Sequence, residues 1–558
     1  MRPMRLPLPA LALAVSLPLT ARAHLPAQTP QAPHAEQRTM GTERPVNIGE
    51  SFDGLGVGFT GPQGTSTQRN PSDNSLAVGH DHIMQTVNTR VAIFTKAGAK
   101  YAETGKVLYG PVASNNVFRG FGGACETHNN GDVVVRYDQL VDRWLLVMPV
   151  FRRVAPRTTP PGPRAAPLFI PPTPTPAPGD TARPRPTPAP TPAPTPAPTP
   201  APTPAPTPAP TPAPEPADGK YAMCYAVSET SDPLGSWYRY EFERPLFPDY
   251  PRPAVWPDGW YTPTSTGDDV IEKHVCVVDR RMMLLGADAT EQCIVVPDVN
   301  FLNTSDLDGR LLPPPGAPNI IIAAGGAQLR NVLASNELQV WQMHVDWGDP
   351  TKTKLTGPAR LAVAPYEYLC GGQLTKCVPQ PGSDVRLDAQ GDKIMPRFVY
   401  RRFRTHESLV AVHSIKSAAG AGGVRWYEFR VGYGREITLR QQGTFAPDSA
   451  YRWMASPAID QVGNIGFGYS YGSATEFAGQ RFVGRTALAT PGTLDLAEAV
   501  LVRGGAAQTS TLRWQDYTQT AIDPSDDCTV WYVGDYLKAG ATAYSTRIGA
   551  FRMPGCQR

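Results

Sequence analysis

The apolar residues of this chain come in short runs, and that spacing limits the fold more than any other feature. Residues 82–87 (HIMQTV), 143–148 (RWLLVM) and 464–469 (NIGFGY) are examples, with Gly, Pro, Asn and Asp between such runs. Runs of about four to eight residues, alternating or wholly apolar, predict strands. No amphipathic stretch of about twelve residues, the length that would argue for a helix, competes with them. The nearest is the short segment 495–500 (DLAEAV). An all-β fold follows.

A second regularity is an acid that opens such a run. Asp73, Asp132, Asp249, Asp384 and Asp516 head the segments DNSLAVG, DVVVRYD, DYPRPAVWPD, DVRLD and DYTQTAID. Residues 456–460 (SPAID) repeat the pattern without the first acid. With a proline-rich tract set aside, the motifs recur roughly every 50–70 residues, with one double gap that a degenerate unit near Ile320 fills. Seven such units, each long enough for four strands and loops, predict a β-propeller over residues 47–558. Six blades and two packed sandwiches are the alternatives that the uneven spacing leaves open.

The proline-rich tract spans 153–218 and includes seven uninterrupted Thr-Pro-Ala-Pro units from Thr187 to Pro214. Proline fixes φ and lacks the N–H donor, so the tract joins no sheet and is expected to be disordered. Strand-like residues flank it on both sides, so it reads as a long insertion in a hairpin loop. A spacer arm, a glycosylated stalk or a neutral loop expansion all fit that position.

Residues 1–23 read as a secretory signal. Arg2 and Arg5 precede an apolar stretch, and Ala21-Arg22-Ala23 is a small-x-small cleavage site. Residues 24–46 look like a flexible leader. Export, outside the cell or to a periplasm, places the eight cysteines where disulfides form. Four local pairs are expected: Cys125 with Cys224, which flank the proline-rich insertion, Cys276 with Cys293 on neighbouring strand-like runs, Cys370 with Cys377 across a short loop, and Cys528 with Cys556 in the last repeat. Lys and Arg number 52 against 49 Asp and Glu, a balance that argues against a nucleic-acid binder. No apolar run beyond the N-terminus is long enough to span a membrane. A secreted monomer is expected.

Residues 76–83 (LAVGHDHI), 424–428 (VRWYE), 441–448 (QQGTFAPD), 452–470 and 513–536 resemble a group of secreted bacterial β-propeller proteins without an assigned activity. The resemblance covers 47–558 outside the proline tract. It implies the fold and export and carries over no catalytic residue. Gln515 stands where the group's Arg-Trp-Gly-Asp-Tyr pattern has glycine, a change expected to affect the turn.

In a propeller the acids at the heads of the inner strands would gather on one rim. Asp73, Asp132, Asp249, Asp384 and Asp516 are therefore the candidate ligand-binding residues, with Arg452 and Arg513 from the two Arg-Trp pairs nearest the C-terminus. Gathered carboxylates suit Ca²⁺ or acid–base chemistry, and arginine beside acids and aromatics suits a carboxylate or sugar. The alternatives are local: an aspartate tying its own turn, an arginine stacked on a buried tryptophan. No other cofactor is indicated, and no residue is assigned as catalytic. His80, His82 and His128 read as loop histidines. Arg136, Tyr137, Asp138 and Arg280 read as ordinary turn and edge residues. Segment 230–237 (TSDPLGSW) resembles an Asp-box hairpin imperfectly. The function expected is a binding module for a surface glycan or protein. The alternative is a propeller-type glycosidase or lyase working at the acidic rim.

Overall fold

The computed structural model describes residues 36–67, 71–154, 166–167, 220–266, 272–297, 299, 301–324, 336–372 and 376–557. The signal segment 1–23 and most of the proline tract lie outside the described residues. The fold is nearly all-β, as the short apolar runs predict.

The described strands form seven consecutive antiparallel meanders of four strands. Sheet 1 contains Ser75–Val78, His82–Val87, Arg90–Thr95 and Val107–Ala113. Sheet 2 contains Val134–Asp138, Arg143–Val154, Lys220–Ser228 and Ser236–Arg244. Sheet 3 starts with Ala254–Trp256 and continues through Gly259–Thr266, Glu272–Val278 and Glu291–Val295. Sheet 4 contains Asn303–Asp308, Asn319–Ala324, Glu337–His344 and Lys354–Ala362. Sheet 5 contains Phe398–Arg402, Glu407–Lys416, Gly422–Val431 and Ile437–Phe445. Sheet 6 contains Tyr451–Ile459, Ile465–Gly472, Gly479–Arg485 and Ala499–Val502. Sheet 7 contains Gln519–Ile522, Thr529–Tyr536 and Ser545–Arg552, and takes its fourth strand, Asn47–Gly56, from the N-terminal part of the chain.

Each first strand touches the first strand of the next sheet, and that of sheet 7 touches that of sheet 1. Between sheets 4 and 5 the contact becomes parallel pairing, Ser305 with Phe398 through Asp308 with Arg401. The core lies between sheet faces. Leu76, Val78, Ile83 and Phe94 pack towards Trp531 and Val533 of sheet 7, while Ala77, Met84 and Ile93 pack towards Val135 and Trp144 of sheet 2. Alternate side chains thus bury opposite faces, which is why many of the strands are apolar along their whole length.

Three local expectations change. The leader pairs with the body from Glu36, whose strand with Gln37 runs parallel to Thr444 and Phe445. The unit placed near Ile320 begins earlier, at Asn303, and Ile320 lies on its second strand. Segment 495–500 is not helical; it runs into the edge strand Ala499–Val502. The proline tract interrupts a hairpin as expected, since Arg143–Val154 pairs antiparallel with Lys220–Ser228 and the ladder ends at Val154 opposite Lys220. All four expected cysteine pairs are disulfides. Among the described residues no helix is long and apolar enough to cross a membrane.

The Asp-box-like segment is a hairpin between the outer strands of sheet 2. Asp232 accepts from the Leu234 N–H, and the Trp237 indole donates to the Pro233 carbonyl. Arg136, Asp138 and Arg280 are not edge residues. Asp138 is fully buried and accepts both Arg280 Nε (2.5 Å) and the Trp260 indole (3.0 Å). Arg136 lies among the first strands against Asp306 and the Pro253 carbonyl.

Candidate functional site

The segments leading into the first strands carry an unusual share of the strained backbone. Among the described residues eleven other than glycine have positive φ, and five of them, Asp73, Tyr250, Gln390, Gln515 and Asp516, lie on these segments. Such conformations are sparsely populated for side chains with a Cβ and cluster at functional sites. Tyr250 is the clearest case. It precedes Pro251, a position that favours extended backbone, yet has φ of 54°. Its hydroxyl donates to the Asp516 carbonyl at 2.6 Å, and its ring stacks on Tyr517 with centroids 4.3 Å apart. Phe301 meets Tyr250 edge-on at 5.4 Å. These rings and Val134 form a small apolar cluster of their own.

Four of the five candidate acids gather beside this cluster. Asp73 is 1% exposed; its N–H donates to the Gln515 carbonyl at 2.8 Å, and its Oδ2 accepts from the Asn88 amide. Asp132 accepts from the Tyr517 hydroxyl at 2.9 Å and lies near enough to Asp73 and Asp249 to feel their charges. Asp249 accepts from the Tyr250 N–H at 2.9 Å. Asp516 pairs with Arg513 and accepts from the Gln390 amide at 3.1 Å. Burial pushes the Asp73 carboxyl up to about 7, against the pull of Arg513. Burial and then the charges of Asp73 and Asp249 push Asp132 well above the ordinary range. Burial likewise raises Asp249, opposed by Arg513, Lys393 and Arg252. Burial thus shifts both Asp73 and Asp132 towards the protonated form.

Asp384 and Arg452 do not belong to this group. Asp384 is exposed on the hairpin Val378–Gln380/Ser383–Leu387, because that hairpin precedes the first strand of sheet 5 instead of opening it. The acids on the segment leading into that strand are Asp388 and Asp392, both fully buried. Arg452 lies within a strand. It is fully buried, pairs with Asp448 at 2.8 Å and Glu498 at 2.7 Å, and faces the Phe445 and Tyr471 rings between sheets 5 and 6. Arg513 precedes its strand by several residues and reaches the acids.

Gln515 takes up the left-handed turn that a glycine would make, with φ of 54°. Its Oε1 then serves as an acceptor for Ser470 (2.9 Å), Gln480 (2.9 Å) and the Asp535 N–H (2.8 Å).

The structure does not bring three of the candidate acids together as a set of metal ligands. Among the described residues, the only three candidate metal ligands within 4.8 Å of one another are Cys276, Glu291 and Cys293, and those cysteines are joined in a disulfide. The candidate acids have cations beside them instead. His80 and His82 also serve separate contacts, His80 with Asp142 and Ser525, His82 with Tyr101.

Sequence reading missed the cations. Arg252, Lys273 and Lys393 come from three separate segments and surround Phe301, with Arg252 Cζ 5.3 Å, Lys273 Nζ 5.9 Å and Lys393 Nζ 4.0 Å from the ring centre. The one local signal was the Pro251-Arg252-Pro253 triplet, an arginine held between two residues of fixed φ.

No family model and no curated protein matches the chain. Among solved structures it is similar to an exo-β-1,3-galactanase from Clostridium thermocellum, at 10% identity and TM-score 0.27 over 88% of each chain. It is also similar to a protein of unknown function from Dyadobacter fermentans, at 12% identity and TM-score 0.23 over 60% of this chain and 92% of that one. Likeness at these values carries no argument about what this chain binds or does.

Proposed function

We propose that this chain is a secreted, seven-bladed β-propeller that binds a glycan or protein ligand at the end of the ring where the segments entering the first strands meet. The cyclic contact of seven four-stranded meanders supports the propeller reading, and the strand Asn47–Gly56 completing sheet 7 gives the ring the closure such folds use. Four disulfides and the N-terminal signal pattern support export. The observation that carries the binding site is the convergence of Asp73, Asp132, Asp249, Asp516 and Arg513 on one strained, aromatic-lined end.

A hydrolase fits less well. Retaining and inverting glycosidases hold their two carboxyls about 5–5.5 Å or about 6.5–9.5 Å apart, leaving room for the sugar carbon or a water. Such a pair needs one carboxyl ionised, whereas burial shifts both Asp73 and Asp132 towards the protonated form. Protonated carboxyls suit hydrogen-bonding a ligand.

A glycan microarray tests this reading. Wild type is expected to retain a defined subset of glycans, and Asp249→Asn to lose them. Asp249 is half-buried and accepts from its own neighbour's N–H, a bond that an asparagine oxygen also accepts, so the substitution leaves the fold in place. An array blank for wild type, together with no bound protein in a cross-linking pull-down from culture medium, would remove the proposal.

A further inference from the structure

We infer that the ligand at this end of the ring carries an oxyanion, a carboxylate, phosphate or sulfate group, received by the guanidinium of Arg252. The inference rests on the binding site proposed above and names the chemistry of its ligand.

Arg252 is 3% exposed, and none of its Nε, Nη1 and Nη2 has a hydrogen-bond acceptor among the described residues. A guanidinium offers five N–H donors, and burying them unused is costly. Neighbouring buried arginines are treated differently. Arg397 bonds Asp306 at 2.5 Å and Asp308 at 2.6 Å. Arg280 has Asp138, and Arg452 has Asp448 and Glu498. Arg252 alone in this company keeps its whole donor set.

Its position is nonetheless fixed. Prolines 251 and 253 flank it, its N–H donates to the Pro263 carbonyl at 3.2 Å, and its guanidinium lies 5.0 Å from the Tyr250 ring centre and 5.3 Å from that of Phe301. Lys273 and Lys393 sit over the same Phe301 ring, so three cations share one aromatic platform. Asp249 and Asp392 attract Arg252 without bonding it. Burial lowers Arg252 to about 10, and burial followed by the charge of Arg252 lowers Lys273 to about 8. A planar or tetrahedral oxyanion supplies what is lacking: several acceptors in the plane of the fork and a negative charge among the cations. The half-buried Asp249, which feels Arg513, Lys393 and Arg252 together, marks where the cluster meets solvent.

The test is calorimetric titration and thermal melting of the full chain with sodium phosphate, sodium sulfate and sodium glucuronate. Ionic strength is held constant with NaCl, and glucose serves as the neutral control. At least one oxyanion is expected to bind saturably, and Arg252→Met, which keeps the length of the stem over the rings, to weaken it at least tenfold. Glucuronate binding alone assigns a sugar acid; phosphate or sulfate binding alone assigns an esterified or free inorganic group. No oxyanion effect beyond NaCl, or equal affinity in Arg252→Met, overturns the inference. Should Arg252→Met not fold, Lys273→Gln takes its place, with at least threefold weakening expected and unchanged affinity counting against it. Glycans retained equally by wild type and Arg252→Met on the array would leave the binding reading standing and remove this one. Oxyanion binding with a blank array and pull-down would do the reverse.

Discussion

Replacing Asp73 by asparagine should make the protein more stable at pH 8 and flatten its response to pH. The carboxyl titrates near 7 in the fold against an ordinary 3.8, because burial disfavours its charged form. The folded protein therefore binds more protons than the unfolded chain between those values. Stability from this group is full below about pH 4 and is lost as pH rises through about 7. The distance between the two values corresponds to about 4 kcal/mol at ~1.4 kcal/mol per tenfold change in proton affinity. Asparagine keeps the shape, accepts from Asn88 through its oxygen, and carries no charge to desolvate. Urea unfolding followed by tryptophan fluorescence, with disulfides intact, at pH 5 and pH 8 measures the difference. Wild type should lose several kcal/mol more than Asp73→Asn over that interval, and the variant should be the more stable of the two at pH 8. Parallel pH profiles for the two proteins would show that Asp73 is already ionised in the fold and refute the reasoning.

Arg452→Ala should cost about 2–3 kcal/mol, because it removes one of the two arginines on the buried Glu498, leaving Arg481, while binding per folded molecule on the glycan array stays unchanged. Gln515→Ala removes the common acceptor of Ser470, Gln480 and the Asp535 N–H and should cost about 2 kcal/mol or more by urea unfolding. Asp384→Asn, at an exposed hairpin position, should shift stability by no more than about 0.5 kcal/mol and leave array binding as in wild type.

The strands and their order were legible because each sheet is buried on both faces, so short apolar runs recur at the spacing of one meander. The four disulfides were legible because each joins cysteines that sequence already places on neighbouring elements. Asp73, Asp132, Asp249 and Asp516 were found because each stands a few residues before, or at the start of, the strands that open its sheet. Asp384 misled because an added hairpin repeats the acid-plus-apolar pattern upstream of the real strand entry, where Asp388 and Asp392 stand. Arg452 misled because Arg-Trp occurs at two different offsets: within a strand at 452–453, before a strand at 513–514. The Asp138–Arg280 pair and the cations around Phe301 were invisible. Their members lie on separate segments, and only the ring of sheets brings them together.

The pairing of Asn47–Gly56 with Ser545–Arg552 gives synthesis a direction that matters. Asn47–Gly56 is made before the six sheets that separate it from Ser545–Arg552 and has to wait, unpaired, until that partner has left the ribosome. Six sheets are complete in sequence before that partner exists, so the open edge of Asn47–Gly56 is the aggregation hazard during biogenesis. Truncation after the sixth sheet would leave that hazard permanent, and a circular permutant that joins the two ends within sheet 7 would abolish it.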